Sequence, residues 1–351
     1  MGLFTKKCIG VDIGAASIKL VEVSKFGKKK KLENYAEFQL PPTATSIKTF
    51  HGESLLLLSD EVSEILRAVF KKIKIRERKA VLSIPDFSTF FTTFTLPPMT
   101  ESEIPQAVEF EARHHIPLPL SEVTFDWQII EKEEVLPGVK LKILLVAVPN
   151  NVLKNYQRMA TLAQLEVKGM EAEVFGLIRS TISKEKQHSP LCLVDIGWQS
   201  TTVSIVKRKR LQVSHSFDIS GIGLTQKLSS ALNISFMEAE KLKKEYGLDP
   251  HHENVSKVLL REINSLAADI EKVCQDFYQA EGIRVDDVII AGGTANLFGL
   301  REYLSSRLRK NVQTANPFSA ISYPKILEPR LKDLGPSFAV ALGGAMWGVE
   351  T

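Results

Sequence analysis

CIGVDIGAASIKLVEV occupies residues 8–23, and LCLVDIGWQSTTVSIV occupies residues 191–206. Each runs a short apolar strand into Asp-Ile-Gly, passes through small and hydroxyl-bearing residues, and enters a second β-branched strand. The repeated aspartates are Asp12 and Asp195. The flanking chain is matched too: each copy leads to a basic tip, at 25–31 and 207–210, and then to a returning strand, at 35–40 and 211–217. A repeat of this size describes two pseudo-equivalent halves, not a solenoid of short period.

The repeated turn has a chemistry of its own. Gly14 and Gly197 permit a tight hairpin whose backbone N–H groups face outward, and such nests bind phosphate oxygens. A carboxylate beside bound phosphates repels them unless a cation intervenes. Mg²⁺ takes oxygen ligands, keeps several waters and bridges carboxylates to phosphates. Two such turns facing each other across a cleft would clasp a polyphosphate from both sides. One Asp-Ile-Gly alone would be a polar hairpin turn.

With 351 residues the chain is too long for one small core, and two domains or two halves with subdomains are expected. A hydrophobic share of 44% with 25% charged residues is that of a soluble globular protein, and a net charge of +4 does not call for nucleic acid. Three scattered cysteines, Cys8, Cys192 and Cys274, argue against a disulfide framework and for a reducing compartment. The start MGLFTKK lacks the apolar stretch of a signal peptide, and Lys6 stands where myristoylation wants Ser or Thr. No run approaches the ~20 apolar residues of a membrane span. A cytoplasmic protein is expected.

Between the halves, residues 85–167 read as an insertion with its own small fold. A strand at 90–96 precedes a helix opened by the T-x-x-E pattern of Thr100 and Glu103 and ending near His115. Strands at 123–130 and 140–148 flank a turn at Pro137-Gly138, and a helix at 151–164 comes next, giving three strands and two helices. Phe87, Phe90, Phe91 and Phe94 are expected to fill this core and to leave one exposed aromatic edge suited to peptide docking. His114-His115 has no metal spacing, because adjacent helical residues point apart. In the second half, Ser235 and Glu238 open another helix, Gly247-Leu-Asp-Pro250 splits it from the next, and a strand at 285–290 runs into Ala291-Gly-Gly-Thr294. A small-residue helix closes the chain at 339–346.

DIGAASIK, DIGWQSTT, AGGTANLFGL and GPSFAVALGGAMWG fall in the order of the phosphate-1, phosphate-2, adenosine and connect-2 motifs of the actin, heat-shock chaperone and sugar-kinase ATPases, and the chain resembles that superfamily. The insertion sits where FtsA-type proteins carry an extra subdomain. MGLF, FEARHHIPLPLSEVTFDWQII and EAEKLK are similar to the PilM family of type IV pilus assembly.

The resemblance implies an α/β, actin-like ATPase fold: two ribonuclease-H-like halves around a nucleotide cleft, with an FtsA-type inserted subdomain. It implies subdomain 1A at 1–84 and 168–188, 1C at 85–167, 2A at 189–225 and 283–351, and 2B at 226–282. It implies ATP and Mg²⁺ as cofactors. Asp12 and Asp195 would hold the metal through water, and Gly14, Ser17, Gly197 and Thr201 would line the phosphates. Lys19 has the spacing of actin's phosphate lysine. Gly292, Gly293 and Thr294 would pass close to the adenosine, where a side chain would clash. Glu240 and Lys243 would contact ribose and adenine, although E-x-x-K by itself reads as a solvated helix pair. Glu173 stands where related ATPases place a carboxylate near the attacking water. Glu171, Val174, Ala15 and Trp198 depart from the usual residues, and with positioning the main source of catalysis in phosphoryl transfer, they imply slow hydrolysis or none.

The partner implied is the N-terminal tail of inner-membrane PilN, bound near the inserted subdomain, with other pilus assembly proteins beyond it. This places the chain at the inner face of the inner membrane, associated mainly through its partners. The basic tips could touch anionic lipid or simply be solvated. A sugar or acid kinase, an FtsA-like filament and the cytoplasmic part of a type II secretion protein are the competing readings. Against them stand the lack of an evident base with a substrate pocket, of a terminal amphipathic helix, and of a membrane span.

Overall fold

The computed structural model describes residues 5–39, 50–51, 56–57, 59–135, 138–182 and 189–351. The MGLF start, Leu40 and Pro137 lie outside the described residues. In the first half, β1 (Lys6–Ile13), β2 (Ser17–Phe26) and β3 (Lys29–Gln39) form a meander. A short ribbon comes next, β4 (Phe50–His51) with β5 (Leu56–Leu57), then α1 (Ser59–Ile73) and β6 (Lys79–Ile84). The chain continues through β7 (Phe90–Leu96), α2 (Ile104–His115), β8 (Val123–Val135), β9 (Gly138–Pro149) and α3 (Asn150–Leu162). β10 (Glu166–Ala172) and α4 (Glu173–Thr181) complete the half.

The second half runs β11 (Leu191–Ile196), β12 (Thr201–Lys207), β13 (Arg210–Phe217), α5 (Gly221–Leu232), α6 (Phe236–Tyr246) and α7 (Glu253–Glu281). It ends with β14 (Asp287–Ala291), α8 (Leu300–Leu308), β15 (Asn311–Thr314) and α9 (Glu328–Gly348).

The two large sheets have one topology. Their orders are β3-β2-β1-β6-β10 and β13-β12-β11-β14-β15, an antiparallel meander extended by two parallel strands. Alternation along β1 sends Ile9, Val11 and Ile13 to one face, against α1 and α3, and Cys8 to the other, against α9. Both faces are buried, so these strands read as nearly continuous apolar runs. Helices α4 and α9 lie between the sheets and are shared by both halves.

That shared position explains the small residues near the end of the chain. A Cβ on Gly343 would lie 1.9 Å from the Gly176 carbonyl oxygen of α4, and one on Gly10 would lie 1.8 Å from the Ala341 carbonyl oxygen of α9. Backbone meets backbone at both places. α9 spans 21 residues, well beyond the expected 339–346. Pro336 lies inside it, and the carbonyl of Pro336 accepts from the Gly292 N–H at 2.9 Å.

The insertion departs from expectation in one helix. β7, β9 and β8 form a sheet whose apolar face packs on Ile104, Val108 and Ala112 of α2. Helix α3, expected as part of this subdomain, instead buries Val152, Tyr156, Met159 and Ala160 against the first-half sheet. Its apolar stripe is claimed by β1, β6 and α1. The phenylalanines divide as well: Phe90 and Phe94, half-buried, pack on the insertion's core, Phe91 turns to the other face and meets Phe175 edge-on at 6.4 Å, and Phe87 packs on the first-half core instead.

The two helix-start patterns also diverge. Ser235 Oγ accepts from the Glu238 N–H at 3.2 Å and caps α6. At Thr100 only the reverse arm forms, with the Glu103 carboxylate accepting from the Thr100 N–H at 2.8 Å, and α2 begins at Ile104. Pro105, with its fixed φ, sits in the first turn and favours the later start.

Candidate functional site

Both Asp-Ile-Gly segments close in the same way. The Gly14 N–H donates to the Ser17 carbonyl at 3.0 Å, and the Gly197 N–H to the Ser200 carbonyl at 3.0 Å. In register, Asp12 pairs with Lys19 and Asp195 with Thr202. The residue equivalent to Ser17 is therefore Ser200, and the one equivalent to Lys19 is Thr202. This corrects the expected role of Thr201. Its hydroxyl is buried and donates to the Ile219 carbonyl at 2.6 Å, while Ser200 and Thr202 line the cleft.

The turns open into one cleft of about 920 Å³. Asp12, Gly14, Ser17 and Lys19 line one wall, and Asp195, Gly197, Gly292, Gly293 and Thr294 the other. Glu173 lies at its floor, and Glu240 and Lys243 at one end.

The floor is strongly acidic. Lys19 Nζ lies 3.6 Å from Asp12, yet burial still holds the Asp12 carboxyl above the usual range. Burial, then the nearby Asp12 charge, pushes Asp195 up to about 6. Glu173 is raised further, first by burial and then by Asp12, Asp86 and Asp195. Asp86 is pushed up to about 8, chiefly by burial, although the Val174 N–H donates to it at 3.2 Å and pulls the other way. The Asp86 N–H in turn donates to Glu173 at 3.2 Å. Val174 thus supplies an N–H that a proline at this place would lack.

Carboxyl groups raised together in one cleft mark a candidate functional site, and a bound cation would favour their ionised forms. Among the described residues no three His, Cys, Asp or Glu side chains group tightly enough to hold a metal ion directly. The donor set suits a hydrated ion shared between two walls and a phosphate chain.

Glu240 and Lys243 are not a solvated pair. Both are buried, 2.7 Å apart, and Lys243 also donates to the Gly221 carbonyl at 2.8 Å and to Thr225 Oγ1 at 2.7 Å. Burial lowers the Lys243 ammonium. Burial also opposes ionisation of Glu240, but the Lys243 charge and its hydrogen bonds win, and the carboxyl stays below its usual range. The Lys243 ammonium lies 5.2 Å from the Trp198 ring centre, which places an indole at this end of the cleft.

The glycines split in role. Gly292 has φ +88°, and a Cβ there would meet Asp195 Oδ1 at 2.4 Å. The Ile196 carbonyl oxygen, 2.5 Å from the same point, constrains it from the backbone side. Gly293 has open space where its Cβ would be. Glu171 forms a two-pronged ion pair with Arg179 at 2.6 and 2.7 Å, and Arg179 also donates to the Gly343 carbonyl. It braces α4 against α9.

Phe236 and Arg330 line the cleft, and Asp86, bonded to Glu173, supports its acidic floor; none of the three was singled out by sequence reasoning. Asp86 was the most legible of these: IPDF ends a strand parallel to β1, and ligands gather at the carboxyl ends of parallel strands.

Similarity to known proteins agrees with this geometry. The sequence model of the family described as "Type IV pilus assembly protein PilM" matches residues 10–349. A solved structure titled "PilM-PilN type IV pilus biogenesis complex" superposes with a TM-score of 0.83 at 24% identity, covering 98% of this chain and 99% of that one. MreB 5 of Spiroplasma citri bound to AMPPNP superposes at 0.55 with 14% identity, covering 97% and 96%. The cell division protein FtsA of Staphylococcus epidermidis is 23% identical over 215 residues, 55% of this chain and 46% of that protein. The chain spans about half the length of the curated relatives it matches. The fold is the actin-like ATPase fold.

Proposed function

We propose, from the premise that the chain belongs to the PilM family of type IV pilus assembly proteins, that it is an ATP-binding adaptor. In this reading it docks the N-terminal tail of a PilN-type inner-membrane protein near the inserted subdomain and links it to the assembly machinery at the inner face of that membrane. The observation that carries the nucleotide half is the pair of matched acidic turns lining one cleft. The solved complex with PilN supports the partner half.

Asp12 and Asp195 would hold Mg²⁺ through its waters, and the ion would neutralise the phosphate chain against the two walls. Lys19 would meet the phosphates from the first wall, and the Gly14 and Gly197 turns would supply backbone N–H groups to them. Glu240 and Lys243, already oriented by Thr225, bound the ribose end. Burial and the neighbouring Asp12, Asp86 and Asp195 raise the Glu173 carboxyl well above its usual range, which disfavours the carboxylate a general base requires. That supports slow turnover and ATP as a structural or switching ligand.

The test is fluorescence anisotropy of a labelled N-terminal PilN peptide against the full chain, with and without Mg-ATP. Saturable binding is expected, and its shift with ATP measures the coupling between the sites. Absence of binding in both conditions would sink the adaptor reading. Phosphate transfer to a small acceptor, or ATP-dependent sedimentation, would then favour the kinase or filament reading.

A further inference from the structure

The nucleotide turns sit at one end of the first-half sheet, and basic residues collect at the other. Lys6 of β1 pairs with Lys25 of β2, and β6 begins at Lys79 beside Glu166 of β10. The β2–β3 hairpin tip, the start of β6 and the end of α1 therefore share one edge of the fold. Strands advance about 3.3 Å per residue, which puts this edge about 20 Å from Asp12. The phosphates of a nucleotide in the cleft do not account for it.

Two features stand on this edge. One is an open hollow of about 450 Å³ between the end of α1 and the turn before β10. Arg67, Lys71, Lys74, Arg76 and Arg78 line it, with Phe70 and Ile75, and no described acidic residue does. Arg78 is fixed by the Ile75 and Glu77 carbonyls, at 3.0 and 2.7 Å. Among the described residues, Arg67, Lys71, Lys74 and Arg76 form no ion pair. Lysines in the last turn of α1 offset its helix dipole. Arg67, a turn earlier, and Arg76 and Arg78, beyond the helix, lie outside that explanation.

The other feature is the hairpin tip. Phe26 is 58% exposed there, beside Lys25, Lys28 and Lys29, which also lack ion pairs among the described residues. The pseudo-equivalent tip in the second half is different. Lys207 pairs with Glu131 at 3.0 Å and Arg210 donates to the Ile130 carbonyl at 2.8 Å, so that tip is spent on the inserted sheet. Two hairpins of common design have diverged: one is spent on the inserted sheet, whereas in the other Lys30 pairs with Glu350 at 2.5 Å and Phe26, Lys28 and Lys29 are left outward.

We propose that this edge of the first half docks directly on a bilayer containing anionic phospholipid, with headgroup phosphates in the α1 hollow and Phe26 at the hydrocarbon boundary. Charge complementarity selects the surface, and an aromatic ring rimmed by lysines fits the interfacial layer of a membrane. The cleft then faces away from the lipid. The proposal does not depend on nucleotide or on the PilN reading.

The full chain is mixed with vesicles of phosphatidylcholine alone and of equal parts phosphatidylcholine and phosphatidylglycerol, and bound protein is recovered by flotation. Binding is expected only to the second, weakened by salt, with each lysine removed costing roughly fivefold. Lys28→Glu with Lys29→Glu should abolish it, and Lys71→Glu with Lys74→Glu should do the same from the other feature. All four side chains are exposed, so unfolding temperatures should not move. Phe26→Ser should weaken binding with the salt dependence intact. Equal binding to both vesicles, no binding to either, or binding indifferent to the charge reversals overturns the proposal. So does complete competition by inorganic pyrophosphate at matched phosphate, which would assign the hollow to a soluble phosphate compound.

Discussion

Asp12 and Asp195 show how one residue type in one turn can carry a site. Each is harmless alone and costly when buried opposite the other. If the two carboxylates hold the ion as proposed, Asp195→Ala should abolish Mg-dependent ATP binding in calorimetry, and Asp12→Ala should weaken it strongly. Unchanged affinity in Asp195→Ala would remove that residue from the site. The same burial sets a pH dependence. Asp195, at about 6, and Asp86, at about 8, hold protons in the folded chain that the unfolded chain has already released above about 4. Folding stability of the free protein therefore falls as pH rises through that window, by at most about 1.4 kcal/mol per unit for each group. Thermal unfolding near pH 5 and near pH 8 tests this, and Mg-ATP should flatten the slope. A free protein more stable at the higher pH contradicts the assignment. Two adjacent glycines give a further contrast. Gly292→Ala combines a left-handed φ with a collision against Asp195 and should lower stability by about 2–3 kcal/mol. Gly293→Ala, with open space around it, should leave melting unchanged.

At the level of elements, α4 and α9 join the halves. Their crossing is possible because Gly176 and Gly343 carry no side chains, and Arg179 locks it by reaching from Glu171 to the Gly343 carbonyl. Gly343→Ala places a methyl 1.9 Å from a carbonyl oxygen, and neither helix can yield without moving a sheet. It should cost about 3 kcal/mol or more, read by denaturant unfolding. Gly344→Ala, whose Cβ would meet Val81 at 3.3 Å, should cost clearly less. Equal losses at the two positions would show that the crossing is not the tight point.

Across the whole molecule, the inserted sheet is tied to the second half by charge. Lys207 bridges Glu131 and, at 3.9 Å, Glu281, and Glu281 also binds Lys142. Lys207→Met should loosen this contact by about 1–2 kcal/mol. Faster amide exchange in β8 and β9, with unchanged exchange in β1 and β6, is the expected pattern. Uniform acceleration would mean that the pair stabilises the entire fold rather than one junction.

The repeated Asp-Ile-Gly with its flanking strands was enough, by itself, to establish two like halves, an acidic glycine-containing turn in each and the order of the motifs around them. Short-range pattern carries that information, because strand alternation and a glycine-containing hairpin are local. Other assignments depended on which surfaces meet. Thr201 and Thr202 are adjacent and chemically alike, and only the register against β13 and β11 turns one into the sheet and the other into the cleft. Glu240 and Lys243 read as solvated until α5 closes over them. Helix α3 has a sound apolar stripe that fits either sheet, and the first-half core takes it. Asp86 becomes part of the site through the parallel pairing of β6 with β1, a strand far earlier in the chain. In each case the sequence supplied the side chain, and long-range packing, which buries one neighbour and exposes the next, decided its use.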